Sequence, residues 1–144
     1  MNFDLIYLNS FRCSVYAKNS TFIELKCNLI TGIACSWFDS IPSIHFTGQV
    51  NQSESREALG ANVRQAGFQE TDIASMVSSI TKYSKKIESI EELVEALPKV
   101  LDIATTGRMG PVLLDIPMNI QKESVNQEQK TRALKPLLTS PIST

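Results

Sequence analysis

The sequence predicts an α/β fold in which a parallel sheet is flanked by helices. Three observations lead there. The short apolar runs "IPSIHFTG" and "GPVLLDIP" are bounded by proline and glycine, as strands buried on both faces are. The longer stretch "SIEELVEALPKVLDIATTG" repeats its apolar residues at helical spacing. Helical and strand-like segments alternate along the chain, the order that a parallel sheet with crossover helices requires.

The elements follow in order. The first twenty or so residues hold aromatic and polar groups without a clear period, and a helix is expected from Leu25 to Phe38, before the first strand. In "TDIASMVSSI", Thr71 or Asp72 can cap a second helix whose Ile73, Met76, Val77 and Ile80 share one face. Ser89 with Glu92 three positions on forms a capping box for the main helix, where Ile90, Leu93, Val94, Leu97, Leu101 and Ala104 line one side. Pro98 removes the hydrogen bond to the Val94 carbonyl and crowds that turn, which predicts a kink or two abutting helical pieces. Gly107 stops this helix, and "GPVLLDIP" then forms a buried strand. Residues Val125 to Thr144 are polar, contain two prolines and show no apolar period, so they read as a linker or tail.

Composition narrows the function. A chain of 144 residues makes one domain, or part of one. With 14 basic and 15 acidic side chains, its charge gives no electrostatic reason to expect nucleic acid or an anionic membrane as partner. Cys13, Cys27 and Cys35 are odd in number and lack C-x-x-C spacing, which fits a reducing, cytoplasmic setting better than a disulfide framework or a zinc site. The opening "MNFDLIYLNSFRC" is a poor signal peptide, and nothing is long enough to cross a bilayer.

Few residues suggest chemistry directly. His45 is the only histidine; it sits in an apolar strand, reads as a packed residue, and has no second histidine with which to hold a metal. Ser40 and Ser43 lie near it, but no G-x-S-x-G elbow surrounds either, which argues against a hydrolase. Lys82, Lys85 and Lys86 read as a solvated face, and Glu91, Glu92 and Glu95 as helix surface.

Three blocks, "NLITGIACSWFDSIPSIHFTGQV", "GFQETDIASMVSSITKYSKKI" and "IATTGRMGPVLLDIPMNIQ", together resemble the N-terminal pyrimidine-binding domain of thiamine-diphosphate enzymes of the acetolactate synthase type. The resemblance runs from Asn28 to Gln121. It leaves residues 1–27 as a non-matching segment and 122–144 as the linker or tail. It implies an incomplete pyrimidine-binding domain truncated at its N-terminus.

The resemblance also implies roles. The family's asparagine and glutamine matching Asn28 and Gln69 approach the thiamine diphosphate, and the phenylalanine matching Phe68 lines the substrate entrance. Asn28 can equally be a helix N-cap. Gly48 and Gln49 are placed in the turn closing the strand that runs toward this site. The "GRMGPVLLDIP" segment is architectural: Gly107 and Gly110 permit the turn, and Pro111 opens the strand where no amide donor is needed. The family has proline where Met109 stands.

Two departures limit the chemistry. The glutamate that activates the cofactor falls upstream of Met1 by the family's spacing, and Glu24 is too close to Asn28 to replace it. Where the family has a glycine-rich "SGPGATN" loop near the cofactor, this chain reads "FIELKCN". The diphosphate and magnesium are held in the family by a further domain across a dimer interface. The expectation is a partial domain of a 2-keto-acid enzyme that alone is inactive and binds thiamine diphosphate weakly or not at all. Its partner would be a second copy or a complete homologous enzyme, and the alternative is a non-catalytic regulatory module pairing with such an enzyme.

Overall fold

A computed structural model describes residues 23–60, 63, 67 and 70–139. Helix α1 (Ile23–Phe38) opens the described chain, two residues earlier than the expected start. It closes where Ser40 takes up a left-handed φ of 54°. The Ile41 amide then donates to the Ser36 carbonyl at 2.8 Å and the Ser40 amide to the Trp37 carbonyl at 3.3 Å. This is a Schellman closure with serine where glycine is usual.

The chain continues into strand β1 (Ser43–Gln49). Gly48 and Gln49 are strand residues paired with Ile116 and Pro117, not members of a turn. A 3₁₀ turn at Gln52–Glu54 follows, and then the short helix α2 (Ile73–Met76). Asp72, not Thr71, caps α2 by accepting from the Ser75 amide at 3.1 Å. The expected helix is split here, because a 3₁₀ turn occupies Ser78–Ile80. Ile73 and Val77 are fully buried, whereas Met76 is 50% exposed and lies off the predicted face.

Strand β2 (Tyr83–Lys86) is not expected from the sequence, where Lys82, Lys85 and Lys86 read only as a solvated face. It is a four-residue edge strand, and a strand of this kind tolerates lysines whose heads reach solvent. Helix α3 (Ile90–Thr105) is capped by Ser89, whose Oγ accepts from the Glu92 amide at 3.2 Å. It runs unbroken through Pro98, so the expectation of two pieces does not hold. Gly107 then adopts a φ of 65°, as a helix stop requires. Gly110 matters for closeness rather than turn geometry: a Cβ there would stand 3.3 Å from the Lys82 side chain.

Strand β3 (Pro111–Pro117) is buried at every position and is followed by helix α4 (Met118–Gln121). The stretch read as a linker or tail carries helix α5 (Gln127–Thr139), which packs on α3 and buries Ala133. Its apolar residues are too sparse to show a period, and contact with α3 supplies what periodicity does not.

The three strands form a parallel sheet in the order β1-β3-β2, with β3 central. Helices cover both faces, which explains why β3 lacks alternation. One face presents Ile44, Val112, Leu114 and Ile116 to Val100, Ala104 and other residues of α3. The opposite face packs Leu113 against Ile33 of α1 and against Ile73 and Val77 beside α2. This second face is unusual for its polarity. Ser43, His45, Thr47 and Gln49 occupy alternate positions of β1 and are all buried.

Candidate functional site at the ends of the parallel strands

The polar row leads to the end where the strands finish. Asp115, 1% exposed, accepts a hydrogen bond from the Thr47 hydroxyl at 2.7 Å and another from Gln49 Nε2 at 3.0 Å. Gln49 Nε2 also donates to the Thr71 carbonyl at 2.8 Å, and Gln49 Oε1 accepts from the Val50 amide at 3.1 Å. One amide side chain thus ties β1 to β3 and to the segment before α2. Removing its acceptor would strand buried donors, and such groups are costly to leave unpaired.

Above this layer lies an open groove of about 680 Å³, lined by Gln49, Thr71 and Asp115 and walled by Arg56, Glu57 and Glu70 on one side and Ser84 and Lys86 on another. Lys86 Nζ pairs with Glu57 at 2.9 Å across it. Open α/β sheets characteristically bind ligands at the carboxyl ends of their strands, where loops rather than side-chain rows line the surface. The groove was not legible in sequence, since its members come from segments separated by tens of residues.

Other candidates resolve as structure. Ser43 Oγ and His45 Nε2 lie 2.9 Å apart, but both residues are 3% exposed and no substrate reaches them. His45 Nδ1 has no hydrogen-bond partner among the described residues, so a third member that would orient the ring is not found there. Burial pushes the His45 pKa down to about 4, leaving the imidazole neutral at pH 7. Ser40 is at the opposite end of the sheet, accepting from Arg108 Nε at 2.9 Å. Lys85 is ion-paired with Glu92, which raises the Lys85 pKa, and the pair ties β2 to the first turn of α3. Among the described residues no three His, Cys, Asp or Glu side chains gather as a metal site.

No family model matches the chain. Curated relatives do. The chain is 42% identical over 101 residues to the acetolactate synthase isozyme 2 large subunit of Escherichia coli (strain K12), covering 70% of this chain and 17% of that protein. It is 36% identical over 107 residues to the chloroplastic acetolactate synthase of Arabidopsis thaliana, covering 73% and 15%. To a probable acetolactate synthase large subunit of Methanocaldococcus jannaschii it is 38% identical over 102 residues, covering 71% and 16%. Over some 70% of its length the chain is homologous to acetolactate synthases. It spans about one sixth of the length of these relatives.

Against an acetolactate synthase pattern, the residues expected at the site fall as follows. Asn28 lies inside α1, exposed, so it is not the helix N-cap. Ile33 of α1 packs against the middle of β3, and α1 runs antiparallel to the strands. With Trp37 beside Gly110 at the start of β3 and Ile33 beside Leu113, Asn28, five residues earlier, lies about 7.5 Å further toward the end where the strands finish. Residues 23–27, matched to the family's glycine-rich loop, are helical. Phe68 and Gln69 lie outside the described residues. Their neighbours Gly67 and Glu70 are described, the first packed on Val50 at the end of β1 and the second lining the groove. No helix among the described residues is long and apolar enough to cross a membrane.

Proposed function

We propose that this chain is the pyrimidine-facing part of the thiamine-diphosphate site of an acetolactate synthase-like 2-keto-acid enzyme, and that these 144 residues alone turn over no substrate. The observation that carries the reading is identity to acetolactate synthases over some 70% of the chain. The matching segment forms a parallel α/β unit whose groove opens at the strand ends. Residues 28–121 hold this unit, with Asn28 and Gln69 as cofactor contacts and Phe68 at the substrate entrance.

The described residues fit one half of the cofactor better than the other. An exposed amide at Asn28, displaced toward the strand ends, suits the hydrogen-bonding edge of an aminopyrimidine. Among the described residues no three His, Cys, Asp or Glu side chains gather to hold magnesium. In the proposed reading the diphosphate and magnesium are held by residues of another domain, across an interface with a second copy. When bound, the cofactor supplies the carbanion chemistry; this chain's residues only bind and orient its ring.

An assay of pyruvate consumption with thiamine diphosphate and magnesium tests this. No turnover is expected, and any rate above buffer overturns the reading of a silent part. A second reading, a non-catalytic module pairing with a complete homologous enzyme, is favoured by the exposure of Phe38, at 71%, and of Leu59, at 59%. Co-purification with a complete acetolactate synthase separates the two.

A further inference from the structure

At the end of the sheet where the strands begin, opposite the groove, two segments form a common rim. Helix α1 finishes there with Phe38, followed by Asp39 and Ser40, and the connection from α3 to β3 brings up Arg108 and Met109. The two segments are fastened together. Arg108 Nε donates to Ser40 Oγ at 2.9 Å, and Trp37 stands beside Gly110, where a Cβ would lie 3.7 Å from its ring. Lys82 Nζ donates to the Thr106 carbonyl at 2.6 Å and holds the same connection from β2.

This fixed rim leaves two large apolar side chains in water, Phe38 at 71% exposure and Met109 at 47%. Aromatic residues, methionine and arginine are the types enriched where proteins meet. The charges narrow what meets them here. Asp39 and Arg108 are both exposed, and among the described residues the Asp39 carboxylate and the two terminal nitrogens of Arg108 have no partner. With Arg108 anchored through Nε, its terminal nitrogens keep the paired donors that grip a carboxylate. One carboxylate and one guanidinium beside two apolar side chains make the rim complementary to itself, because a two-fold axis lets each Asp39 meet the partner's Arg108. We propose that a second copy of the chain docks on this rim, Phe38 and Met109 packing against the same residues of the partner and Asp39 pairing with the partner's Arg108. Contact there leaves the groove of each copy open.

Sedimentation equilibrium of the whole chain, from micromolar to hundreds of micromolar, reads the association. The parent should form a dimer. Asp39→Arg and Arg108→Asp set like charges opposite one another, and each should weaken the dimer about tenfold or more. Both side chains are exposed, so the melting temperature should stay nearly unchanged. An equimolar mixture of the two variants should dimerise like the parent, since opposite charges then face each other at both pairs. No effect confined to one chain gives that result. Phe38→Ser, which changes no charge, should also weaken the dimer, and it decides the matter should a charge variant fail to fold. A parent that stays monomeric overturns the proposal. Variants that associate like the parent overturn it too, as does a mixture that associates no better than its components.

Discussion

Ser40 and His45 show how single residues set local stability. Ser40 holds a φ of 54° at the end of α1, a conformation that costs a side chain more than it costs glycine. Ser40→Gly should therefore stabilise the fold by about 0.5–1 kcal/mol, less whatever the exposed Arg108 bond contributes, seen as a higher melting temperature. His45 gives a pH dependence. Its folded pKa, about 4, lies below the ordinary histidine value of 6.5, so between these values the unfolded chain binds a proton that the folded chain does not. Stability from this group is fully present above pH 6.5 and is lost as pH falls toward 4, by up to ~3 kcal/mol. Urea midpoints at pH 7.5 and 5 check it, and His45→Gln should flatten the difference. Sequence alone pointed to His45 as a packed residue, because a lone histidine within an apolar run has no partner for metal or acid-base work. It could not show that Ser43 would be its hydrogen-bond partner, since that depends on strand geometry.

At the scale of elements, strong local signals matched the structure and weak ones did not. Helix α3 announced itself by its cap, its period and its stop at Gly107. Strand β3 did so by an unbroken apolar run. Strand β2 and helix α5 stayed hidden because their formation depends on neighbours: "YSKK" becomes a strand by pairing with β3, and α5 forms against α3. Pro98 remains the costly residue of α3, since it cannot donate to the Val94 carbonyl and its ring crowds that turn. Pro98→Ala should raise stability by about 1–3 kcal/mol, measured by denaturant unfolding. A fall would mean that the proline ring packs better than its missing bond costs.

The molecule as a whole presents surfaces suited to a partner. Among the described residues, strand β2 guards its edge with lysines, but β1 runs seven residues along the other edge of the three-stranded sheet without a side chain charged at pH 7. Phe38, Leu59, Val63, Met76 and Met109 are each about half exposed or more. The chain should self-associate in sedimentation at tens of micromolar, and a monodisperse monomer at high concentration would contradict this. The site was only partly legible at this scale. The three family blocks pointed to Asn28, Phe68 and Gln69, whereas the buried knot of Gln49, Thr71 and Asp115 is assembled by the fold from distant segments. The central claim, that these residues form only the pyrimidine-facing part of a thiamine-diphosphate site, is tested most directly by calorimetric titration with thiamine diphosphate and magnesium. With contacts worth about 1 kcal/mol each, affinity is expected to be millimolar or weaker, down to none, and any binding seen should weaken in Gln69→Ala. Micromolar affinity, or weak affinity that Gln69→Ala leaves unchanged, would contradict it.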